Sequence, residues 1–167
     1  MYRVQRSGRF KGSTSSNIAL AIEASKLHEV ITGAPLAAWL TVAGSPAGTF
    51  GWTSWVETLD QLATRNDQLI ASAIWGKLED KAANVATEWS VDQIAQVIVV
   101  PGVLGKVAQP GSRVLQSMVR ANQTADPMEM LQWATKMAEV TDRVSGGSAG
   151  LSQCGFGPDW GTYNFSQ

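Results

Sequence analysis

A stretch from Pro35 to Val56, PLAAWLTVAGSPAGTFGWTSWV, returns in degraded form at the end of the chain, from Ser148 to Gln167, SAGLSQCGFGPDWGTYNFSQ. A unit written twice restricts the available folds more than composition does, because each copy must be a piece that packs against its neighbours. Sliding the sequence against itself by 110 positions aligns Arg3, Val4 and Ser7 with Arg113, Val114 and Ser117. The same offset places Ala24, Lys26, Glu29 and Val30 on Ala134, Lys136, Glu139 and Val140. After a three-residue insertion, Gly48-Thr49-Phe50 meets Gly161-Thr162-Tyr163.

The elements inside the first copy follow from periodicity. Tyr2 to Lys11 alternates loosely and ends at Gly12-Ser13, which predicts a strand. Ser15, Ser16 and Asn17 can accept from free helix N–H groups, and Ile18, Ile22, Leu27, Val30 and Ile31 recur at helical spacing until Gly33, which predicts a helix from about Ser16 to Thr32. Two extended segments follow, Leu36 to Ala43 and Thr49 to Val56, joined by the Gly44-Ser-Pro-Ala-Gly48 turn. From Glu57 the stripe Leu59, Leu62, Leu69, Ile70, Ile74, Leu78 and Ala82 is helical again, with a break expected at Asn66-Asp67. The β-branched run from Trp89 to Val100 predicts a last strand that Pro101-Gly102 ends. Strand, helix, strand, strand, helix, strand is the split βαβ or ferredoxin-like order.

The expected organisation is a first ferredoxin-like repeat over residues 1–100, a linker over 101–111 and a second, incomplete repeat over 112–167. The second copy supplies a strand (112–121), a helix (127–144) and two more strands, without a second helix or fourth strand. A strand edge left open in this way invites pairing, so either the polypeptide continues beyond Gln167 or another subunit covers it. The fold class expected is α+β, with duplicated ferredoxin-like units forming an antiparallel α/β barrel.

Charge excludes some partners. Thirteen basic residues face fourteen acidic ones, a formal charge of −1, so no global field attracts nucleic acid or an anionic membrane. A single cysteine, Cys154, rules out an intrachain disulfide and fits a reducing compartment. No apolar segment has signal-peptide or membrane-spanning character, and the expected location is cytoplasmic. With 44% hydrophobic residues, only 16% charged residues and seven Trp, much of the surface is expected to be in contact with something.

The arrangement resembles the dimeric α/β-barrel superfamily and, within it, NIPSNAP-like proteins. The residues that carry the likeness are Lys26-Leu27-His28-Glu29-Val30 at the end of the first helix, the hairpin Leu40 to Val56 with Gly44-Ser45-Pro46, and Trp55-Val56-Glu57-Thr58-Leu59-Asp60-Gln61-Leu62 leading into the next helix. The resemblance implies two sheets paired face to face and a small ligand held between a sheet and its helices. It supplies no catalytic signature. Strand alternation gives an independent check: Trp52 and Trp55 point to opposite faces, as do Trp39 and Leu40, so both faces of the sheet are expected to be covered.

Few residues suggest chemistry. Arg6 shares a face with Tyr2, Val4 and Phe10, and the 110-residue offset assigns Gln116 to the equivalent place, so a polar group twice on an apolar face can fix a carboxylate or carbonyl. It can equally pair with an acid or reach the sheet edge. Trp39 and Trp52 offer flat apolar surfaces, with Ser54 beside Trp52 as a hydroxyl donor, although core packing is the plainer account. His28, without an orienting acid in its spacing, reads as a half-exposed surface histidine, and Cys154 as a buried strand residue. One His and one Cys exclude a closed zinc site of the usual ligand types within a single subunit, and no cofactor is assigned. Two functions stay open. One is a small-molecule-binding α/β-barrel protein, in its sharper form a cofactor-independent oxygenase-like or isomerase-like enzyme, with candidate ligand-binding residues Arg6, Trp39, Trp52, Ser54 and Gln116. The other is a non-catalytic interaction or assembly module that forms homo-oligomers or takes a partner subunit.

Overall fold

The computed structural model describes residues 1–43, 49–89, 92–98, 111, 113–120, 122, 124–146, 149–156 and 161–166. The chain is α+β and divides into two compact units, Met1–Gln93 and Ile94–Gln167. The expected turn at 44–48, nearly all of the expected linker and residues 157–160 lie outside the described residues.

The N-terminal unit runs β1 (Tyr2–Phe10), α1 (Thr14–Thr32), β2 (Ala37–Leu40), β3 (Thr49–Val56), α2 (Leu59–Ile70), α3 (Ala73–Val85) and β4 (Ala86–Trp89). Its antiparallel strands lie in the order β2-β3-β1-β4, which is the split βαβ arrangement. Register follows the alternation of side chains: Arg6 lies opposite Trp52, Gly8 opposite Phe50 and Val4 opposite Ser54. Phe50 and Trp52 thereby face α1 and close a core with Leu20, Ala21, Ala24 and Leu78. Burying a side chain of this size contributes about 1.5–3 kcal/mol.

The helices begin where local chemistry satisfies their free N–H groups. Ser13 caps α1 through Ser16 N, Thr58 caps α2 through Gln61 N, and Ser72 caps α3 through Trp75 N. That last cap relocates a break. The interruption expected at Asn66-Asp67 falls instead at Ala71-Ser72, because Asp67 stays helical and its carbonyl accepts from Ala71 N at 3.0 Å. The single strand expected from Trp89 to Val100 is also two elements, β4 and β5 (Gln93–Ile98).

The C-terminal unit continues with β6 (Gln116–Arg120), α4 (Pro127–Ser145), β7 (Gly150–Phe156) and β8 (Thr162–Ser166). Its strands lie in the order β5-β7-β8-β6, and β6 pairs with β8 alone among the described residues. Ala134 and Ala138 of α4 sit on Leu151, Tyr163 and Phe165 of the sheet. Cys154 is buried in β7, as expected.

Strand–helix–strand–strand therefore occurs in both units with the same pairings. The N-caps Ser13 and Asp126, and the C-caps Gly33 and Gly146, stand 113 positions apart. The hairpin pairs Ala37–Thr53 and Gly150–Ser166 keep that interval. In the first strand the interval is 111, since Trp52 lies opposite Arg6 while Phe165 lies opposite Ser117. The uniform 110 expected for strand and helix is thus one residue short in the strand and three short in the helix. Three residues is nearly one helical turn and preserves much of a face, but a one-residue slip in a strand moves every side chain to the other face.

Candidate functional site

Two places deserve comparison: the helix-facing side of the N-terminal sheet, where the expected ligand residues fall, and a groove of the C-terminal unit.

On the first, the structure brings together Arg6, Trp52 and Ser54 and leaves out Trp39 and Gln116. Trp52 is buried, its indole Nε1–H donates to the Ala21 carbonyl at 3.3 Å, and its ring stacks with Trp89. Phe10 meets Phe50, Trp52 and Trp89 edge-on, an arrangement favoured by the ring quadrupoles. Ser54, two residues along β3 from Trp52 and opposite Val4, is buried on the same face. Arg6 makes a bidentate pair with Asp92, Nε to Oδ1 at 2.6 Å and Nη2 to Oδ2 at 2.7 Å. The hydrogen bonds that Arg6 donates to Asp92 raise the guanidinium pKa above its ordinary value, partial burial opposes this, and the charges of Asp92 and Glu79 add to the rise. Its fork is already matched to a carboxylate.

Trp39 lies on the other face of the sheet, opposite Gly51, and donates Nε1–H to Thr53 Oγ1 at 3.1 Å. A β-carbon at position 51 would fall inside its indole ring, so glycine there is what lets the ring lie flat on the strand. Gln116 holds the wrong register for the role that the 110-residue offset assigned it. Ser117 occupies the place of Arg6, and Gln116 instead reaches Asn164 Oδ1 at 3.4 Å.

His28 corrects another expectation. It is buried rather than half-exposed, with Nδ1 2.9 Å from the Ala34 carbonyl and its ring edge-on to Trp75 of α3. Burial lowers its pKa below the ordinary 6.5, the hydrogen bond to Ala34 opposes that shift, and the Arg65 charge reinforces it. A neutral imidazole donating from Nδ1 fits all three. The residue is a structural link between α1, the turn after it and α3. Among the described residues no three His, Cys, Asp or Glu side chains come together to hold a metal ion. Among them, too, no helix is long and apolar enough to cross a membrane.

The second place is an open groove of about 180 Å³ in the C-terminal unit. Trp133, Met137 and Thr141 of α4 form one wall; Leu115, Ser117 and Val119 of the β6 segment form the other, with Phe165 and Ser166 at the base. Trp133 holds its ring edge-on to Phe165 at 6.0 Å between centroids. The lining is apolar with three hydroxyls and carries no ionisable group. Such a surface can exclude water from an apolar partner but offers no acid or base to a reaction. None of its α4 residues was singled out from the sequence. The available signal was the width of the helix's apolar arc: Trp133, Met137, Val140 and Val144 extend well beyond the Ala134–Ala138 face that one sheet can cover.

No protein-family model matches the sequence, and no curated protein matches it. Solved structures do match. A putative monooxygenase from Fusobacterium nucleatum is 8% identical with a TM-score of 0.67, covering 99% of this chain and 73% of that one. A putative chlorite dismutase is 12% identical with a TM-score of 0.53, covering 98% and 77%. An uncharacterised NIPSNAP-like domain protein from Burkholderia xenovorans is 17% identical with a TM-score of 0.50, covering 66% of this chain and 97% of that one. At these identities the likeness is one of fold: a ferredoxin-like α+β architecture shared with NIPSNAP-like proteins.

Proposed function

We propose, starting from that ferredoxin-like fold, that this chain is an assembly module built from a duplicated unit, and that it binds protein through the α4–β6 groove. The observation that carries the reading is the exposed apolar wall of Trp133, Met137, Val140 and Val144 beside a strand that has one edge paired among the described residues. The helix side of the N-terminal sheet supports it by contrast, being filled by Phe50, Trp52, Leu20 and Leu78. A groove of about 180 Å³ is also below the roughly 300–1,000 Å³ typical of pockets that enclose small organic molecules.

A second reading, a small-molecule-binding protein of oxygenase or isomerase type, draws on the putative monooxygenase and chlorite dismutase among the structural neighbours. Under it Arg6, Trp52 and Ser54 are the ligand-facing residues, and the Arg6–Asp92 pair must open to receive a carboxylate. Native mass spectrometry of the purified protein separates the two. Assembly requires a complex with protein, self or other, that Met137→Glu dissolves. A monomer retaining a compound of a few hundred daltons, insensitive to Met137→Glu but lost in Arg6→Ala, establishes the second reading and ends the first.

A further inference from the structure

The groove has a counterpart in the N-terminal unit, and there it is occupied. With helix caps and hairpin register 113 positions apart, Leu20, Ala24 and His28 of α1 correspond to Trp133, Met137 and Thr141 of α4. In α1 this flank is covered by α3: Leu78 and Trp75 join the Leu20–Ala24 core, and Trp75 meets His28 edge-on. The chain then passes without a break from Val85 into β4, which pairs with β1. Both places, the helix flank and the outer edge of β6, lack an occupant among the described residues of the C-terminal unit.

Charge indicates which helix fits. Glu23 of α1 pairs with Lys81 of α3 at 2.5 Å. At the position of Glu23, α4 carries Lys136, which is exposed and forms no ion pair among the described residues. A copy of α3 would set lysine against lysine; an occupant complementary to α4 carries a carboxylate there.

We propose that the C-terminal unit is completed by a helix-then-strand segment of a partner polypeptide, its helix lying along Trp133, Met137 and Thr141 and its strand pairing with the edge of β6 that is unpaired among the described residues. The helix has an apolar stripe spaced as Trp75, Leu78, Ala82 and Val85 are in α3, and an Asp or Glu facing Lys136. The proposal rests on the assembly reading and specifies the partner's chemistry.

The probe is a fluorescein-labelled peptide of residues 72–89 with Lys81→Glu, titrated into the full chain at low salt and followed by anisotropy. It binds about three- to fivefold tighter than the unsubstituted peptide, the range of one partly exposed ion pair. Lys136→Glu reverses the preference, and Met137→Glu or Val140→Glu, both at exposed sites, removes binding of either peptide. Equal affinity of the two peptides, or binding indifferent to residues 136, 137 and 140, overturns the proposal. So does a self-associated dimer that Met137→Glu dissolves, since a second copy is then the occupant. If no peptide binds while a Met137-dependent complex persists in native mass spectrometry, the helix–strand partner falls and the assembly reading stands; if both are missing, both fall.

Discussion

Helices α1 and α4 have the same length, equivalent caps and the same place over an antiparallel hairpin, yet one flank is dry in the first and wet in the second. Leu20 is 6% exposed and its counterpart Trp133 is 42%; Ala24 is 8% exposed and Met137 is 39%. The sheet alone covers only the Ala134–Ala138 face of a helix. On α1 the Leu20–Ala24–His28 flank is covered in addition by Leu78 and Trp75 of α3. The difference shows that the apolar arc of a helix records how many neighbours it has, and α4 has an arc wide enough for one more neighbour than the described residues provide.

That comparison is sharpest where removing one side chain ought to matter in one unit and not in the other. Leu20→Ala leaves a hole between α1, α3 and β3 and should destabilise the N-terminal unit by about 2–5 kcal/mol. Hydrogen exchange resolved by peptide, during urea titration, reads each unit separately and avoids assuming one transition for both. A loss below about 1 kcal/mol would mean that α3 does not seal that flank.

The hairpins differ in a complementary way. Trp39 lies across Gly51 in the N-terminal unit, whereas Ser152 lies opposite Asn164 at the corresponding pair. Gly51→Asn therefore drives a side chain into the indole and should cost about 1–3 kcal/mol, the range of overpacked sites. Adding Trp39→Ser, which restores the pair found in the C-terminal unit, should return part of that loss. Failure of the double variant to recover would show that the two hairpins are not interchangeable at this pair.

Much of this architecture was legible in the sequence. The split βαβ order and the broken second helix followed from periodicity and turn chemistry, and the burial of Cys154 from the usual place of a strand cysteine. The break itself was misplaced because Asn66-Asp67 and Ser72 are both plausible caps, and only packing of Trp75 and Leu78 decides between them. Gln116 was misassigned because an offset judged from matching letters tolerates a one-residue slip that strand geometry does not. The groove went unread for a different reason. An exposed Trp133 or Met137 has the letters of a core residue, and sequence alone does not say which neighbour is missing.

His28 offers a test with a smaller expected effect. Its pKa in the folded unit is below the 6.5 of the free side chain, so folding favours the neutral form. That contribution is complete above about pH 6.5 and is lost as pH falls from there through the folded-state pKa. Urea midpoints of the N-terminal unit should therefore decline from pH 7 toward pH 5. His28→Thr, which installs the residue found at the matching position 141, should lower the midpoint at pH 7 and flatten the decline. An unchanged slope would place the titrating group elsewhere.

Trp133→Ala should have the smallest effect, although it removes the largest side chain in the groove. Its ring is 42% exposed, joins no closed core among the described residues and meets Phe165 edge-on, so the change in stability should stay within about 0.5 kcal/mol, as for ordinary surface substitutions. Set beside Leu20→Ala at the matching position, that near-silence is informative because the side chain lost is larger and the expected cost several-fold less. A cost of 3 kcal/mol or more would mean that the flank of α4 is already closed in the free protein. The contrast between the two helices would then reflect side-chain size and no missing neighbour at all.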